Sequence, residues 1–228
     1  MPFKKKFINS SVVRKIRWSC LWCVFIGLIS GQAHADLKGY SIEITFDNFS
    51  GRGTLTDFPA LVKLTTSSTN SYNGFLDTTN GYDLRFWDNG TFSGNELKYE
   101  IETFDSSGNS YIWVRMPQFT HNSTIHATWG DEIYNSQEDY TTNGNVWSSE
   151  FKAVWHLGES DSMAGDATSN DHDADGTNGT PVSSAGQIGL ATDFNDSSDD
   201  RITVPSSSDF DIGSNFTVSA WIYNRNPT

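Results

Sequence analysis

The chain has 228 residues, with 15 Lys and Arg against 28 Asp and Glu, 14% aromatic residues and only two cysteines. That length allows one large or two small domains with real cores. The acidic balance excludes phosphate backbones and anionic lipid surfaces as natural partners, so nucleic acid is not expected to bind.

The first thirty-five residues read as a secretory signal. Lys4, Lys5, Lys6, Arg14, Lys15 and Arg17 form a basic front, Cys20 to Gly31 (CLWCVFIGLISG) is apolar, and Ala33-His34-Ala35 supplies small residues for cleavage. The apolar core is shorter than the roughly 20 residues that span a bilayer, and no later stretch is long and apolar enough, so no stable membrane insertion is expected after cleavage. The segment carries six of the 15 basic residues and none of the acidic ones, which leaves 9 minus 28, or −19, from Asp36 on. Both cysteines, Cys20 and Cys23, leave with it, so the exported chain is expected without disulfides. The expected location is secreted, periplasmic or at the cell surface.

From Asp36 to Gln137 the pattern is that of strands. Ser41 to Phe46 (SIEITF) alternates Ile42, Ile44 and Phe46 with polar residues, the period of a half-buried strand. Similar runs follow at Pro59 to Thr65, Tyr82 to Asp88, Glu96 to Phe104, Ser110 to Met116 and Thr124 to Gly130. Between them lie clusters such as TTNG, DNGTFSGN and DSSGN, whose Asn-Gly and Ser-Gly steps suit tight reversals. No window of helical length carries an apolar stripe. Short strands at this spacing predict an all-β fold, an antiparallel sandwich or barrel.

A polar stretch, Glu138 to Asn145 within a linker over 138–150, separates this block from a second one. There, Gln187 to Asp196, Asp200 to Pro205 and Asn215 to Asn224 alternate again, which predicts three further strands.

The motifs DFPALVKL, YDLRFWD, LKYEIETFD and YIWVRMP, in that order between about Tyr40 and Gly130, resemble an uncharacterised bacterial domain-of-unknown-function family. That family occurs in exported surface proteins and in proteins associated with MotA/TolQ/ExbB proton channels. The block over 151–228, with FKAVWHLGE, GQIGLATDFNDSSDDRITVP and FTVSAWIY, resembles the opening part of a concanavalin A-like, laminin-G-like jelly roll. This resemblance implies a two-sheet module that binds glycans or proteins, often with calcium, and in a minority of cases hydrolyses polysaccharides. Such a module takes roughly 150 residues to close two sheets, and 78 remain from Phe151, so an incomplete domain is expected.

Three groups of residues bear on chemistry. In SYIWVRM, Tyr111, Trp113 and Arg115 share the face opposite Ile112, Val114 and Met116; in YDLRFWD, Arg85 and Trp87 share the face opposite Leu84 and Phe86. Flat rings flanked by charged hydrogen-bonding groups suit sugar rings, while the alternative is that they are core material.

The run DHDADGTNG, from Asp171 to Gly179, holds Asp171, Asp173 and Asp175 at alternate positions before Gly176, the first half of a helix-loop-helix calcium loop. Its twelfth position is Val182 rather than glutamate, and no helix flanks it, so a polar turn between strands competes with a calcium site. Asp193, Asp196, Asp199 and Asp200 form a second acidic group, read as a solvated hairpin tip or a second oxygen cluster. The histidines His121, His126, His156 and His172 have no zinc-ligand spacing.

Glu100 and Glu102 stand roughly 7 Å apart on one strand face, which fits an inverting carboxylate pair by distance. Lys98 interrupts the acidic pattern E-x-D-x-E, however, and charges alternating with Leu97, Tyr99 and Ile101 mark a wet face. The sequence therefore points to a non-catalytic binding protein, with a glycan or a surface protein as ligand and calcium as an open cofactor. A polysaccharide hydrolase with its catalytic residues further along, and an envelope-assembly component tied to a proton channel, are the alternatives.

Overall fold

The computed structural model describes residues 39–47, 49, 53–90, 92, 94–134, 136–159, 164–178, 182–194 and 199–224. The expected leader and Asp196 lie outside them. The chain divides into two compact units, 1–138 and 139–228.

Among the described residues the first unit is an antiparallel β-sandwich of seven strands. They are β1 (Tyr40–Phe46), β2 (Leu55–Thr65), β3 (Arg85–Trp87), β4 (Glu96–Leu97), β5 (Tyr99–Thr103), β6 (Asn109–Phe119) and β7 (Ser123–Trp129). One sheet has the order β1-β7-β3-β4 and the other β2-β6-β5. Register follows the alternation: Ile42 faces Ala127, Ile44 faces Ile125, Val62 faces Ile112 and Ala60 faces Val114. All eight are buried. A one-residue slip would turn those side chains to solvent, at about 1.5–3 kcal/mol for each large one. The sheets meet where the ring of Phe46 lies 5.2 Å from that of Phe119, and Phe86 lies 5.3 Å from Tyr99.

Two local features shape this sandwich. The run Glu96 to Phe104, expected as one strand, breaks at Lys98: β4 pairs with β3 in the first sheet and β5 with β6 in the second. Leu97 and Tyr99 are both buried, so the chain crosses at a corner while keeping one apolar face inside. The edge of the second sheet is closed to further pairing at Pro59. The N–H of Arg115 donates to Lys98 O at 2.9 Å, toward β5. Its register partner Pro59 therefore sits at a position whose missing N–H faces away from β6.

The long connection between β2 and β3 is organised by buried polar groups. Asp83, 1% exposed, accepts the backbone N–H of Leu76 at 2.9 Å, Asp77 at 3.1 Å and Gly130 at 2.8 Å. Tyr72 is buried, and its hydroxyl lies 2.9 Å from Ser110 Oγ and donates to Leu64 O at 3.1 Å. Burial raises the ionisation of that hydroxyl above the ordinary phenol range, against the hydrogen bonds from Ser110.

Among the described residues the second unit holds two short antiparallel ladders. β8 (Gly176–Asn178) pairs with β11 (Arg201–Thr203), and β9 (Val182–Ala185) with β10 (Leu190–Asp193). The expected strand from Gln187 begins later because GQIG is the reversal itself: Gly186 N–H donates to Gly189 O at 3.0 Å, and Gly189 takes φ +59°.

The expected strand Asn215 to Asn224 forms no ladder. Alternation fits a residue run for pairing but supplies no partner, and Phe216, Val218, Ile222 and Tyr223 stand 61%, 80%, 85% and 88% exposed.

Candidate functional site

The five residues with aromatic-and-charge character fall on opposite outer faces of the sandwich. Arg85 and Trp87 flank the inward-facing Phe86 on β3, and both are buried, at 0% and 5% exposure. The Trp87 indole N–H donates to Thr128 Oγ1 at 2.9 Å, and its ring has edge contacts with Phe92 at 6.4 Å and Tyr134 at 6.0 Å. The Arg85 guanidinium lies 5.3 Å from the ring centre of Tyr134.

The same guanidinium donates to the carbonyls of Tyr82 and Leu84, each at 2.7 Å, to Ser136 O at 3.0 Å, to Tyr99 Oη at 3.2 Å and to Glu138 Oε1 at 2.8 Å. Glu96 Oε1 lies 3.3 Å from its Nε. A buried guanidinium needs this many acceptors to offset its desolvation. The same burial drives the Tyr99 hydroxyl far above the ordinary phenol range, with Arg85 pulling it the other way. In this unit Arg85 and Trp87 are built into the packing beneath Tyr134 and Phe92.

Tyr111, Trp113 and Arg115 stand in a row on β6, each half-buried, on the outer face of the second sheet. Their inward neighbours Ile112, Val114 and Met116 are buried. Each row member is held by a neighbour across the sheet. Lys63, the register partner of Tyr111 on β2, places Nζ 5.6 Å from the tyrosine ring centre. The Trp113 indole N–H donates to Glu102 Oε2 at 3.1 Å, and Arg115 Nε pairs with Asp57 Oδ1 at 3.1 Å.

A bulge between Ile101 and Thr103 leaves Glu102 as the extra residue of β5, while Glu100 is the register partner of Trp113. Glu102 thus holds the indole by its carboxylate, and Glu100 stands opposite Trp113 across the ladder. Alternation in the sequence already puts Lys63, Glu100 and Glu102 on polar strand faces, but their meeting with Tyr111 and Trp113 depends on pairings between distant strands.

The aspartates of DHDADGTNG do not converge. Asp171 adopts φ +55°, a turn conformation, and Asp173 Oδ1 accepts the Asp166 N–H at 2.7 Å. The Asp175 N–H donates to Thr203 O, and the chain then runs into β8. Among the described residues no three His, Cys, Asp or Glu side chains are placed to hold a metal ion.

The organising group here is Asp166. Its carboxylate accepts Val154 N–H at 2.9 Å, Thr168 N–H at 2.9 Å, Thr168 Oγ1 at 2.8 Å and His172 N–H at 3.0 Å. His172 Nε2 in turn lies 3.0 Å from Asp209 Oδ2, with its ring 4.7 Å from that of Phe210. Sequence reading had no signal for Asp166 beyond an Asp-x-Thr pattern, because its partners are spread from Val154 to His172.

Set against protein-family models, curated proteins and solved structures, the chain matches none. Among the described residues no helix is long and apolar enough to cross a membrane.

Proposed function

We propose that this is a non-catalytic binding protein acting at or outside the cell surface, and that the outer face of its second sheet takes a glycan. The observation that carries the reading is the row Tyr111, Trp113 and Arg115, with the Trp113 ring fixed by its hydrogen bond to Glu102. A ring held in place by a side-chain hydrogen bond and a rigid strand keeps a stacking surface without further ordering cost on binding. Aromatic faces beside carboxylate and cationic groups match the C–H faces and hydroxyls of pyranose sugars.

The basic-then-apolar leader supports export, and the likeness of residues 151–228 to laminin-G-like modules supports binding rather than catalysis. Glu102 is already an acceptor for Trp113, which favours a positioning role over an acid–base one.

Affinity electrophoresis through gels containing soluble polysaccharide tests the reading. Retardation by at least one polymer, abolished in Trp113→Ala but kept in Trp87→Phe, is expected. Release of reducing sugar by the purified chain would favour the hydrolase instead. Co-purification with membrane channel proteins without glycan retardation would favour an envelope-assembly part.

A further inference from the structure

We infer that the run from Asn215 to Asn224 is a homodimerisation strand, which pairs antiparallel with the same run of a second copy of this chain about a two-fold axis through Ser219.

The run follows a docked turn. His172 Nε2 lies 3.0 Å from Asp209 Oδ2, and the Phe210 ring packs 4.7 Å from that of His172 and 6.2 Å from that of Trp155. Beyond Asp211 the backbone joins no ladder among the described residues. The run nevertheless alternates as a strand does, with neither proline nor glycine between Asn215 and Asn224. Phe216, Val218, Trp221, Ile222 and Tyr223 are each more than half exposed. Taking about 150–250 Å² for a whole aromatic side chain, these five leave on the order of 600 Å² of apolar surface in water. A monomer seldom exposes an apolar patch larger than about that, and the area approaches the roughly 800 Å² that each partner contributes to a stable interface.

Charge and register name the occupant. From Ile212 to Asn224 no side chain is charged, in a chain that carries 9 basic and 28 acidic residues, or −19, beyond residue 35. Two copies repel over their acidic surfaces, and a neutral, exposed run is where they can approach. Antiparallel pairing centred on Ser219 sets Phe216 opposite Ile222 and Val218 opposite Ala220 of the other copy, so the four apolar residues of one face meet only one another. On the other face Thr217 meets Trp221 and Asn215 meets Tyr223. A one-residue slip would set apolar residues against polar ones, and a shift of the centre to Ala220 would set Phe216 against Asn224. The same residues serve in both copies, an isologous contact that closes on itself, and the backbone groups of the run gain ladder partners.

Sedimentation of the purified chain from about 1 to 200 µM should show a monomer–dimer equilibrium with a midpoint of roughly 10–100 µM, since a two-stranded ribbon is weak on its own. Association should tighten by about threefold or more at high salt, which screens the repulsion between copies. Val218→Lys, at a position already 80% exposed, should keep the melting temperature and give monomer throughout. Ser219→Cys should form an interchain disulfide on mild oxidation, beyond any seen in the parent chain. Thr217→Cys should not, because its two thiols would stand about 14 Å apart along the ribbon.

A monomer at every concentration would overturn the inference and leave the run to a different polypeptide. So would a dimer untouched by Val218→Lys, equal cross-linking at 217 and 219, or growth past the dimer into open-ended assemblies. None of these results bears on the glycan reading, whose face lies in the first unit.

Discussion

The wholly buried guanidinium of Arg85 donates to the carboxylate of Glu138 at 2.8 Å, and the glutamate is 39% exposed. The two ends of this pair are unequal, because the glutamate can fall back on water and the arginine cannot. Glu138→Ala should cost about 1–3 kcal/mol by leaving the cation with fewer acceptors, and Arg85→Ala about 3–5 kcal/mol by emptying a buried volume as well. Urea unfolding followed by tryptophan fluorescence measures both. Equal midpoints for Glu138→Ala and the parent chain would show that the carbonyls of Tyr82, Leu84 and Ser136 suffice.

Alkaline pH should destabilise the first unit from about pH 10 upward. Tyr99 and Tyr72 hold their protons more tightly when folded than an exposed phenol does. For a group raised in the folded state, the contribution is complete below the unfolded value near 10 and is lost as pH climbs toward the folded one. Phenolate absorbance should show two late-titrating groups. Tyr99→Phe should remove one, Tyr72→Phe the other, and each should flatten the alkaline loss of stability.

Asp83 should be among the most sensitive polar positions. Asp83→Ala would leave the part-buried N–H groups of Leu76, Asp77 and Gly130 without their acceptor, at about 1–3 kcal/mol. Asp83→Asn keeps one acceptor oxygen and should recover part of that. Thermal melting and amide exchange at Leu76, Asp77 and Gly130 test it; unchanged protection in Asp83→Ala would refute the role.

In the second unit, stability should follow Asp166 rather than a metal. Asp166→Ala removes four hydrogen bonds that tie Val154, Thr168 and His172 together and should cost about 2–4 kcal/mol. Millimolar calcium or chelator should leave the melting midpoint of the parent chain unmoved. A rise with calcium that Asp173→Asn abolishes would establish a site on DHDADGTNG.

The alternation of SIEITF, PALVKLT and SYIWVRM was enough to read strands, their inward faces and an all-β sandwich, because side-chain direction along a strand is a local property with a period of two. The same rule grouped Tyr111 with Trp113 and Arg85 with Trp87. It could not say what lies above each face, since cover is supplied by residues distant along the chain. Tyr134, Phe92 and Glu138 enclose Arg85 and Trp87, whereas Lys63 and Glu102 frame Tyr111 and Trp113 at a half-buried surface. Nor could it foresee the corner at Lys98, where an unbroken alternating run serves two sheets, or that the run from Asn215 to Asn224 joins no ladder among the described residues. Periodicity in the sequence decides which way a side chain turns, and only tertiary pairing decides what it meets there.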